Sequence, residues 1–346
     1  MQINNRETAD FELDTPINHT FHRQDSQRLQ EWESTLPKEY WDYREQWEQN
    51  PKNRIVGKFP LHLDIEATSA CNLECTMCPR TEMIQDGTFW KIQLFDIEVY
   101  KKLIDEGVQN GLKSLKYNYL GEPTLNKNLV DMIRYAKKAG VIDVMFNTNA
   151  TMLDEKLSRQ LIASGLDKLF FSFDSPREEK YNSIRINAEY HSVLDNIKRF
   201  HRIRSEMDTI YPFTRVSMIA NANNEDERIE FQELFEPIVD AVAFIDYMAH
   251  NNRPDTDNEL NHLSFNPEKK FCCHYLWQRM FIHPDGVVTP CCLDATRTLK
   301  VGNIFEESAT EIWHGKKYNH LRELHASGRH KEIRTCAVCP YAQKID

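Results

Sequence analysis

Six strand-like segments alternate with helix-like segments between residues 60 and 248 of the sequence. The strand-like segments span 61–66, 112–120, 141–149, 166–174, 213–220 and 238–248, and the helix-like segments between them span 93–109, 125–140, 153–164, 189–206 and 225–236. This alternation is typical of a parallel sheet whose strands are joined by right-handed crossovers. Because six units are too few for a closed eight-stranded barrel, we expect an α/β fold, a partial (β/α)6 TIM-like barrel. Its chemistry should lie at the carboxyl ends of the strands.

The rest of the chain divides into an N-terminal arm and a small C-terminal region. The arm is polar and contains several tryptophans, and we expect it to be helical, to lie on the barrel and to divide into two helices at Pro37. A polar linker at 249–270 precedes one hairpin pattern and one helix near 308–326. The predicted domains are the arm at 1–55, the barrel at 56–265 and a C-terminal domain at 266–346. The last is too small and rich in loops for a good apolar core, so a metal centre is expected to stabilise it.

Composition excludes several classes of protein. The 43 basic and 53 acidic residues give a net charge of −10, which argues against a broad surface for nucleic acid. No run of about 18 apolar residues is present, so no membrane partner is expected. The first residues also lack the basic and apolar regions of a secretory signal. With no export signal, the nine cysteines favour metal ligation or redox chemistry over disulfides.

Three of these cysteines follow the first predicted strand. Cys71, Cys75 and Cys78 have the spacing C-x3-C-x2-C. Three thiolates on one short loop suit three irons of a [4Fe–4S] cluster and leave the fourth iron free to bind a cofactor or substrate. A zinc site and unligated structural cysteines are the alternatives, but zinc usually takes C-x2-C pairs with a second pair or with histidines.

This loop, on an incomplete barrel, resembles that of the radical S-adenosylmethionine (SAM) family. The resemblance implies that the free iron binds the amino and carboxylate groups of SAM. It further implies that transfer of one electron cleaves SAM to methionine and a 5′-deoxyadenosyl radical, which removes a hydrogen atom from the substrate. Met77 departs from the family pattern, which often has an aromatic residue at this position.

Further positions resemble the family's SAM contacts at successive strand ends. Leu120-Gly121-Glu122-Pro123 is similar to the Gly-Gly-Glu-Pro motif, with Leu120 replacing the first glycine. By this resemblance Glu122 would accept a hydrogen bond from the SAM ammonium. Asn147, Thr148 and Asn149 end the third strand, where the family often has Thr-Asn-Gly. Taken singly, such motifs are equally common as turns.

The ends of the fourth and fifth strands also carry residues that resemble the family's SAM contacts. Ser172 and Asp174 resemble a Ser-x-Asp pair that lies near the SAM ribose and carboxylate. Arg185 matches an arginine of the family that pairs with the SAM carboxylate, for which a guanidinium fork is well shaped. Asn221, at the end of the fifth strand, is a weaker candidate. A helix cap is the alternative interpretation of the Ser-x-Asp pair.

A second group of cysteines lies in the C-terminal region. The four that are spaced to close a complete [4Fe–4S] site are Cys273, Cys291, Cys336 and Cys339. Four thiolates equally permit a zinc site, and the cluster is favoured because it would stand beside a radical SAM barrel. The region resembles the Twitch form of the SPASM extension, which closes one auxiliary cluster. Three ligands for the first cluster and four for the second leave two of the nine cysteines without an assigned metal. These spare thiols are Cys272 and Cys292, although within each adjacent pair, Cys272 with Cys273 and Cys291 with Cys292, the ligand and the spare can be exchanged. Each spare is a structural thiol or a hydrogen donor.

The resemblance implies oxidation of a carbinol carbon in a small sugar, nucleotide-sugar or cyclitol, with the auxiliary cluster as electron acceptor. A general base would be needed, and the candidates after the sixth strand are Asp246, Tyr247, His250 and Arg253. The alternatives are an epimerase with a cysteine hydrogen donor, a peptide or protein maturase, and a zinc-stabilised binding module without turnover. A flavodoxin or ferredoxin is the expected electron donor, and the oxygen sensitivity of such clusters favours the cytoplasm.

Overall fold

One mixed sheet of ten strands organises the described residues, which in this computed structural model are 21–23, 27–248, 266, 268 and 270–343. The strands are β1 (Phe21–Arg23), β2 (His62–Ile65), β3 (Ser114–Lys116), β4 (Asp143–Thr148), β5 (Lys168–Ser172), β6 (Phe213–Ala220), β7 (Ala241–Asp246), β8 (Arg279–Ile282), β9 (Val287–Thr289) and β10 (Gly302–Asn303). Their order in the sheet is β1-β7-β6-β5-β4-β3-β2-β8-β9-β10. Strands β2 to β7 are parallel neighbours, as the alternation predicted.

Helices alternate with the barrel strands and also occur in the arm and in the C-terminal region. The α-helices are α1 (Gln27–Ser34), α2 (Lys38–Lys52), α3 (Pro79–Gln85), α4 (Ile97–Asn110), α5 (Leu129–Ala139), α6 (Glu155–Ile162), α7 (Glu178–Ile184), α8 (Tyr190–Glu206), α9 (Arg228–Phe235), α10 (Ala309–His314), α11 (Lys316–Ala326), α12 (Arg334–Ala337) and α13 (Pro340–Gln343). Short 3-10 helices occur at Pro123–Leu125, Glu225–Glu227, His274–Trp277 and His330–Glu332. None of the helices in this described part is long and apolar enough to cross a membrane.

The predicted strands lie where expected but several are shorter. β6 coincides with its prediction at 213–220, whereas β3 keeps three of the nine predicted residues. The side chain of Asn118 explains the early end of β3, because it replaces the backbone of that strand in the ladder. Asn147 N–H donates to Asn118 Oδ1, and Asn118 Nδ2 donates to Asn147 O at 3.2 Å. Helices α3 and α7 were not predicted.

The C-terminal hairpin extends the barrel sheet. β8 lies parallel to β2, with Leu63 opposite Met280, and β9 and β10 follow as antiparallel strands. The helix predicted near 308–326 is two helices separated at Gly315. This residue has an extended backbone, and a Cβ there would lie 3.1 Å from Glu311 O and Ile312 O.

The N-terminal arm packs against the amino ends of the barrel strands. Helices α1 and α2 flank Pro37, as predicted. Their aromatic side chains form an apolar cluster with the barrel residues Leu61, Phe170 and Phe213. Lys168 joins the two parts, because its Nζ donates to Asp143 Oδ2 at 2.8 Å and to Tyr40 Oη at 3.1 Å. The arm was expected to be helical throughout, but β1 pairs with β7, whose outer edge is free to accept an antiparallel strand.

Candidate functional site

The first three cysteines lie on a loop between β2 and α3, at the carboxyl ends of the barrel strands. Backbone hydrogen bonds fix this loop to the end of α7 and to the segment that follows it. Glu74 N–H donates to Ile186 O at 3.1 Å, and Thr76 N–H donates to Ile184 O at 3.0 Å. Cys71, Cys75 and Cys78 are all partly exposed. Burial raises the pKa of each of these thiols, so without a bound metal they are protonated at neutral pH.

Gly121 brings the end of β3 against this loop. A Cβ at Gly121 would lie 1.8 Å from Thr68 O, so no side chain fits there. The next residue, Glu122, donates its N–H to Ala70 O at 2.8 Å. The glycine therefore allows two backbones to meet directly beside the first cysteine.

The carboxylate of Glu122 joins the ends of β3 and β4. Its Oε1 accepts from Thr124 Oγ1 at 2.6 Å, from the Thr124 N–H at 3.1 Å and from Thr148 Oγ1 at 2.7 Å. Its Oε2 accepts from the Asn149 N–H at 2.8 Å. The carboxylate is buried, and burial raises its pKa despite these donors. Because Oε2 carries one hydrogen bond, it retains capacity for a cationic ligand.

Asn149 continues this network to the cysteine loop, because its Nδ2 donates to Asn72 Oδ1 at 2.9 Å. On the preceding residues of β4, Thr148 is bonded to Glu122, whereas Asn147 Oδ1 is buried with no hydrogen-bond partner among the described residues. Pro123 begins a 3-10 turn and fixes the backbone after Glu122. An unpaired buried amide oxygen is costly, so Asn147 marks a place where a donor from a bound molecule fits.

The predicted arginine is held by the predicted aspartate. Arg185 Nε donates to Asp174 Oδ2 at 2.6 Å, and the Ile219 N–H donates to Asp174 Oδ1 at 3.1 Å. Burial alone would lower the pKa of Arg185, but Asp174 and Cys75 raise it above its ordinary value. The guanidinium thus lies beside the cysteine loop with donors to spare.

Two further predicted residues at the strand ends, Ser172 and Asn221, differ from Arg185 and Asp174. Ser172 ends β5 opposite Ser217 and is partly exposed. Asn221 instead caps its own turn, because its Oδ1 accepts from the Asn223 N–H at 2.8 Å. Ser172 therefore remains open to a ligand, whereas the side chain of Asn221 is already used.

The four predicted C-terminal cysteines line one apolar cavity. Its other walls are Phe271, Leu276, Pro290, Leu293, Leu299, Leu321, His325, Thr335 and Pro340. His325 Nδ1 accepts from the Cys273 N–H at 3.1 Å, and burial lowers the pKa of His325 to about 3. Burial also raises the pKa of the four thiols, in the case of Cys339 to about 11.

The donor set fits an iron–sulfur cluster. Within the described part of the chain, no three Cys, His, Asp or Glu side chains converge closely enough to hold a single metal ion. A [4Fe–4S] cluster asks instead for thiolates spread around a volume, and four cysteines around one cavity have this arrangement. Binding must displace the thiol protons, as metal binding to cysteine generally does.

The two spare cysteines lie in different surroundings. Cys272 is 1% exposed and packs in the main apolar core. Cys292 is not among the residues that line the cavity, although its thiol lies near that of Cys291; it is hydrogen-bonded with Tyr275 and lies near Arg279 and Lys116. Of each adjacent pair, Cys273 and Cys291 line the cavity.

Two of the four predicted base candidates lie at the end of β7, on opposite faces of that strand, and the other two lie outside the described residues. Asp246 pairs with Ala220 and shares a face of β7 with Phe244, whose ring lies 5.9 Å from that of Phe231 on α9. This face is turned to the helices. Tyr247 follows on the opposite side and is 7% exposed. His250 and Arg253 lie outside the described residues.

Sequence reasoning missed a buried polar network between the two cysteine sites. Glu66, after β2, accepts from the Leu120 N–H at 3.1 Å and lies 3.0 Å from His283 Nδ1. His283 Nε2 lies 3.2 Å from Thr289 Oγ1, two residues before Cys291. Burial lowers the pKa of His283. The polar residues at alternate positions of the segment LHLDIE were the sequence signal for this network. The sequence does not show which strand these residues would lie against.

Two family models match the chain. Residues 65–234 match the model described as the radical SAM superfamily, and residues 272–340 match SPASM, described as an iron–sulfur cluster-binding domain. Among curated proteins, the tungsten-containing aldehyde ferredoxin oxidoreductase cofactor-modifying protein of Pyrococcus furiosus is 23% identical over 334 residues, covering 82% of this chain and 90% of that protein. A GTP 3′,8-cyclase of Chlorobaculum tepidum is 30% identical over 182 residues. The chain spans about half the length of this cyclase.

Solved structures share the fold. BtrN in complex with AdoMet and 2-DOIA has a TM-score of 0.52 at 18% identity, over 82% of this chain and 94% of that one. SuiB of Streptococcus suis bound to S-adenosylmethionine has a TM-score of 0.60 at 16% identity, over 81% and 72% of the two chains. Native anSMEcpe with bound AdoMet has a TM-score of 0.59 at 16% identity, over 80% and 89%.

Proposed function

We propose that this chain, which carries a radical SAM domain at residues 65–234 and a SPASM domain at residues 272–340, oxidises a carbinol carbon of a sugar, nucleotide-sugar or cyclitol. It is a radical SAM enzyme whose cofactors are a SAM-binding [4Fe–4S] cluster, an auxiliary iron–sulfur cluster and SAM. When bound, these groups supply a 5′-deoxyadenosyl radical that removes a hydrogen atom, and an acceptor for the electron left on the oxidised carbon.

Different residues on the barrel rim would bind the first cluster and the different polar groups of SAM. Cys71, Cys75 and Cys78 hold the first cluster on a partly exposed loop, which leaves access for a ligand at the fourth iron. The free capacity of Glu122 Oε2 suits the SAM ammonium, and the remaining donors of Arg185 suit its carboxylate. The unpaired oxygen of Asn147 is available to a hydroxyl or amine of the bound molecule.

The observation that carries the choice of oxidation is the lining of the second cavity. Four cysteines and apolar side chains surround it, so the protein provides every thiolate that a cluster there requires. A cluster with no free iron cannot bind substrate, and its chemistry is then electron transfer. Net removal of two electrons from a carbinol needs such an acceptor after the first hydrogen atom has left.

The proton of the substrate hydroxyl must leave with that electron. Of the predicted bases, Tyr247 stands on the inner side at the end of β7, whereas Asp246 shares the outer face with Phe244. Tyr247 is therefore the stronger candidate within the described residues. A flavodoxin or ferredoxin is proposed as the external electron donor.

Epimerisation is a second candidate, favoured by the position of Cys292. Its thiol is hydrogen-bonded with Tyr275 and lies near Lys116 and Arg279, whereas Cys272 is buried in the apolar core. A hydrogen donor must reach the substrate radical, so Cys292 is the better donor of the two. Peptide or protein modification is a third candidate, because the fold is also that of SuiB bound to precursor peptide SuiA, with a TM-score of 0.55 over 92% of this chain.

Anaerobic reconstitution tests the proposal directly. We expect brown protein with about eight irons per chain, the content of two four-iron clusters, which cleaves SAM when reduced with dithionite. Colourless protein that binds zinc would support a binding module and defeat the enzyme. With a panel of sugars and cyclitols, a ketone formed without solvent deuterium supports oxidation. Deuterium at carbon in the wild type that is lost in Cys292→Ala, but kept in Cys272→Ala, would establish epimerisation instead.

A further inference from the structure

Two polar side chains stand among the apolar walls of the cavity at the second cysteine site. Apart from the four cysteines, the residues that line this cavity are apolar except for His325 and Thr335. The sulfur atoms of an iron–sulfur cluster are hydrogen-bond acceptors, and hydrogen bonds to them help to set its reduction potential. A side chain on this wall can therefore influence a cluster through a hydrogen bond only if it retains a hydrogen to donate.

The hydroxyl hydrogen of Thr335 is already used within the protein. Thr298 Oγ1 donates to Asp294 Oδ1 at 2.7 Å, and the same oxygen lies 2.7 Å from Thr335 Oγ1. A hydroxyl has one hydrogen, so Thr298 must accept in the second bond and Thr335 must donate. The carboxylate of Asp294 is held as an acceptor, because it also accepts from the backbone N–H of Thr298 at 3.0 Å and of Leu299 at 2.7 Å. Thr335 therefore has no hydrogen left for the cavity.

His325, near the end of α11, is held in the tautomer that keeps a hydrogen. A backbone N–H can only donate, so the bond of 3.1 Å between the Cys273 N–H and His325 Nδ1 requires Nδ1 to be the acceptor. The neutral imidazole then carries its hydrogen on Nε2. Among the described residues this Nε2–H has no hydrogen-bond partner, although the side chain is 2% exposed. A buried donor without a partner is costly, so Nε2 marks a place where an acceptor fits.

Two neighbouring rings hold the imidazole in place. The ring of Phe271 packs edge-on against it, with the two ring centres 6.3 Å apart, and the ring of His330 lies 5.8 Å away. His330 Nδ1 is itself buried without a hydrogen-bond partner in the described part of the chain, so it does not accept the hydrogen of His325. His325 is therefore fixed beside Cys273, on the wall of the cavity, with one unused donor.

We propose that His325 sets the reduction potential of the auxiliary cluster, by donating a hydrogen bond from Nε2–H to a sulfur atom of that cluster. Nδ1 at the same time occupies the Cys273 N–H, so the imidazole replaces a backbone donor with its own. A hydrogen bond to sulfur stabilises the more negative, reduced cluster and raises its potential. A higher potential favours acceptance of the electron left on an oxidised carbon, and in this respect the inference rests on the proposed function.

The competing role for His325 is purely structural, as an acceptor that holds the Cys273 N–H. Two amide substitutions separate the roles, because each keeps the function of one ring nitrogen. The amide oxygen of asparagine takes the place of Nδ1, so His325→Asn keeps the acceptor for Cys273 and loses the donor. The longer amide of glutamine reaches the place of Nε2, so His325→Gln keeps a donor and loses the acceptor.

The test is a redox titration of the auxiliary cluster followed by EPR, in full-length Cys75→Ala protein reconstituted anaerobically, in which two thiolates cannot hold the first cluster. We expect His325→Asn to make reduction about tenfold less favourable, a fall of about 59 mV for a one-electron couple, and His325→Gln to stay close to the parent protein. A potential in His325→Asn that is not lower than that in His325→Gln would overturn the inference. Thr335→Val is the matched control on the same wall and should leave the potential unchanged.

A second readout uses the wild-type holoprotein. Histidine labelled with ¹⁵N should give a nitrogen coupling in the pulsed EPR spectrum of the reduced auxiliary cluster, because a hydrogen bond carries spin density from sulfur to the donor nitrogen. The coupling should be lost in His325→Asn and kept in His330→Phe, and its absence from the wild type would overturn the inference. Cleavage of SAM by the wild type reports on the proposed radical chemistry by itself, so the two failures are distinguishable.

Discussion

The two cysteine sites of this protein differ in what surrounds the thiols. The first lies on a partly exposed loop ringed by polar groups, among them Glu122 and Arg185. The second lies in a cavity with apolar walls and four cysteines. Polar surroundings supply hydrogen-bonding partners for a ligand that binds and leaves, whereas apolar walls limit the contact of a cluster with water. The contrast shows that ligand exchange and electron storage make opposite demands on a protein, even when the same amino acid supplies the ligands.

The largest expected effect separates the two sites by their chemistry. We expect Cys75→Ala to reduce SAM cleavage by about three orders of magnitude or more, since two thiolates cannot hold the first cluster. The second site should keep its iron, about half of the total. Iron analysis and SAM-cleavage assays check this. Full cleavage by the variant would contradict the assignment of the first site.

The second site should show the reverse pattern. Cys336→Ala is expected to remove the auxiliary iron and lower the free energy of unfolding by about 3 kcal/mol, because the cluster cross-links the C-terminal segment. SAM cleavage should persist while turnover of substrate stops. Cys272→Ala is the matched control, and we expect it to keep all iron and lose about 1 kcal/mol from the core. Equal iron loss in both variants would show that the cavity lining does not identify the ligands.

A backbone change should perturb the first site alone. In Gly121→Ala the new methyl group would meet Thr68 O at 1.8 Å, so the rim must move, and SAM affinity should fall by about tenfold or more. Gly87→Ala meets no atom within 4 Å and has only the cost of a positive φ of 75°, about 1 kcal/mol of stability. Titration with SAM and denaturant unfolding measure the two. Similar SAM affinity in both variants would exclude a role for the close approach.

The smallest expected effect concerns the interior between the sites. Burial lowers the pKa of Lys116 to about 8, with Asp64, Arg215, Arg279 and Cys292 as its charged or titratable neighbours. The unfolded chain then binds more protons than the folded one between about pH 8 and pH 10.4, so stability gains a contribution as pH rises through this range. Denaturant unfolding of wild type and Lys116→Met should therefore diverge with pH. Parallel curves would mean that the lysine titrates normally.

The sequence was sufficient for the parallel barrel, because the alternation of strands and helices leaves few topologies. It was also sufficient for the cysteine loop, since a loop motif needs no knowledge of register. It did not predict that β8 pairs with β2, because pairing between segments more than 200 residues apart is not written in local patterns. For the same reason the Glu66–His283 contact was missed.

The pairing of β8 with β2 has a consequence for anyone who wishes to divide this chain. Four residue pairs connect these strands, from His62 with Arg279 to Ile65 with Ile282. Truncation before the C-terminal region would leave β2 as an unprotected sheet edge, which invites aggregation. Exchange of that region between relatives would likewise have to preserve the strand register. The two cysteine sites thus belong to one continuous sheet and do not form two separable modules.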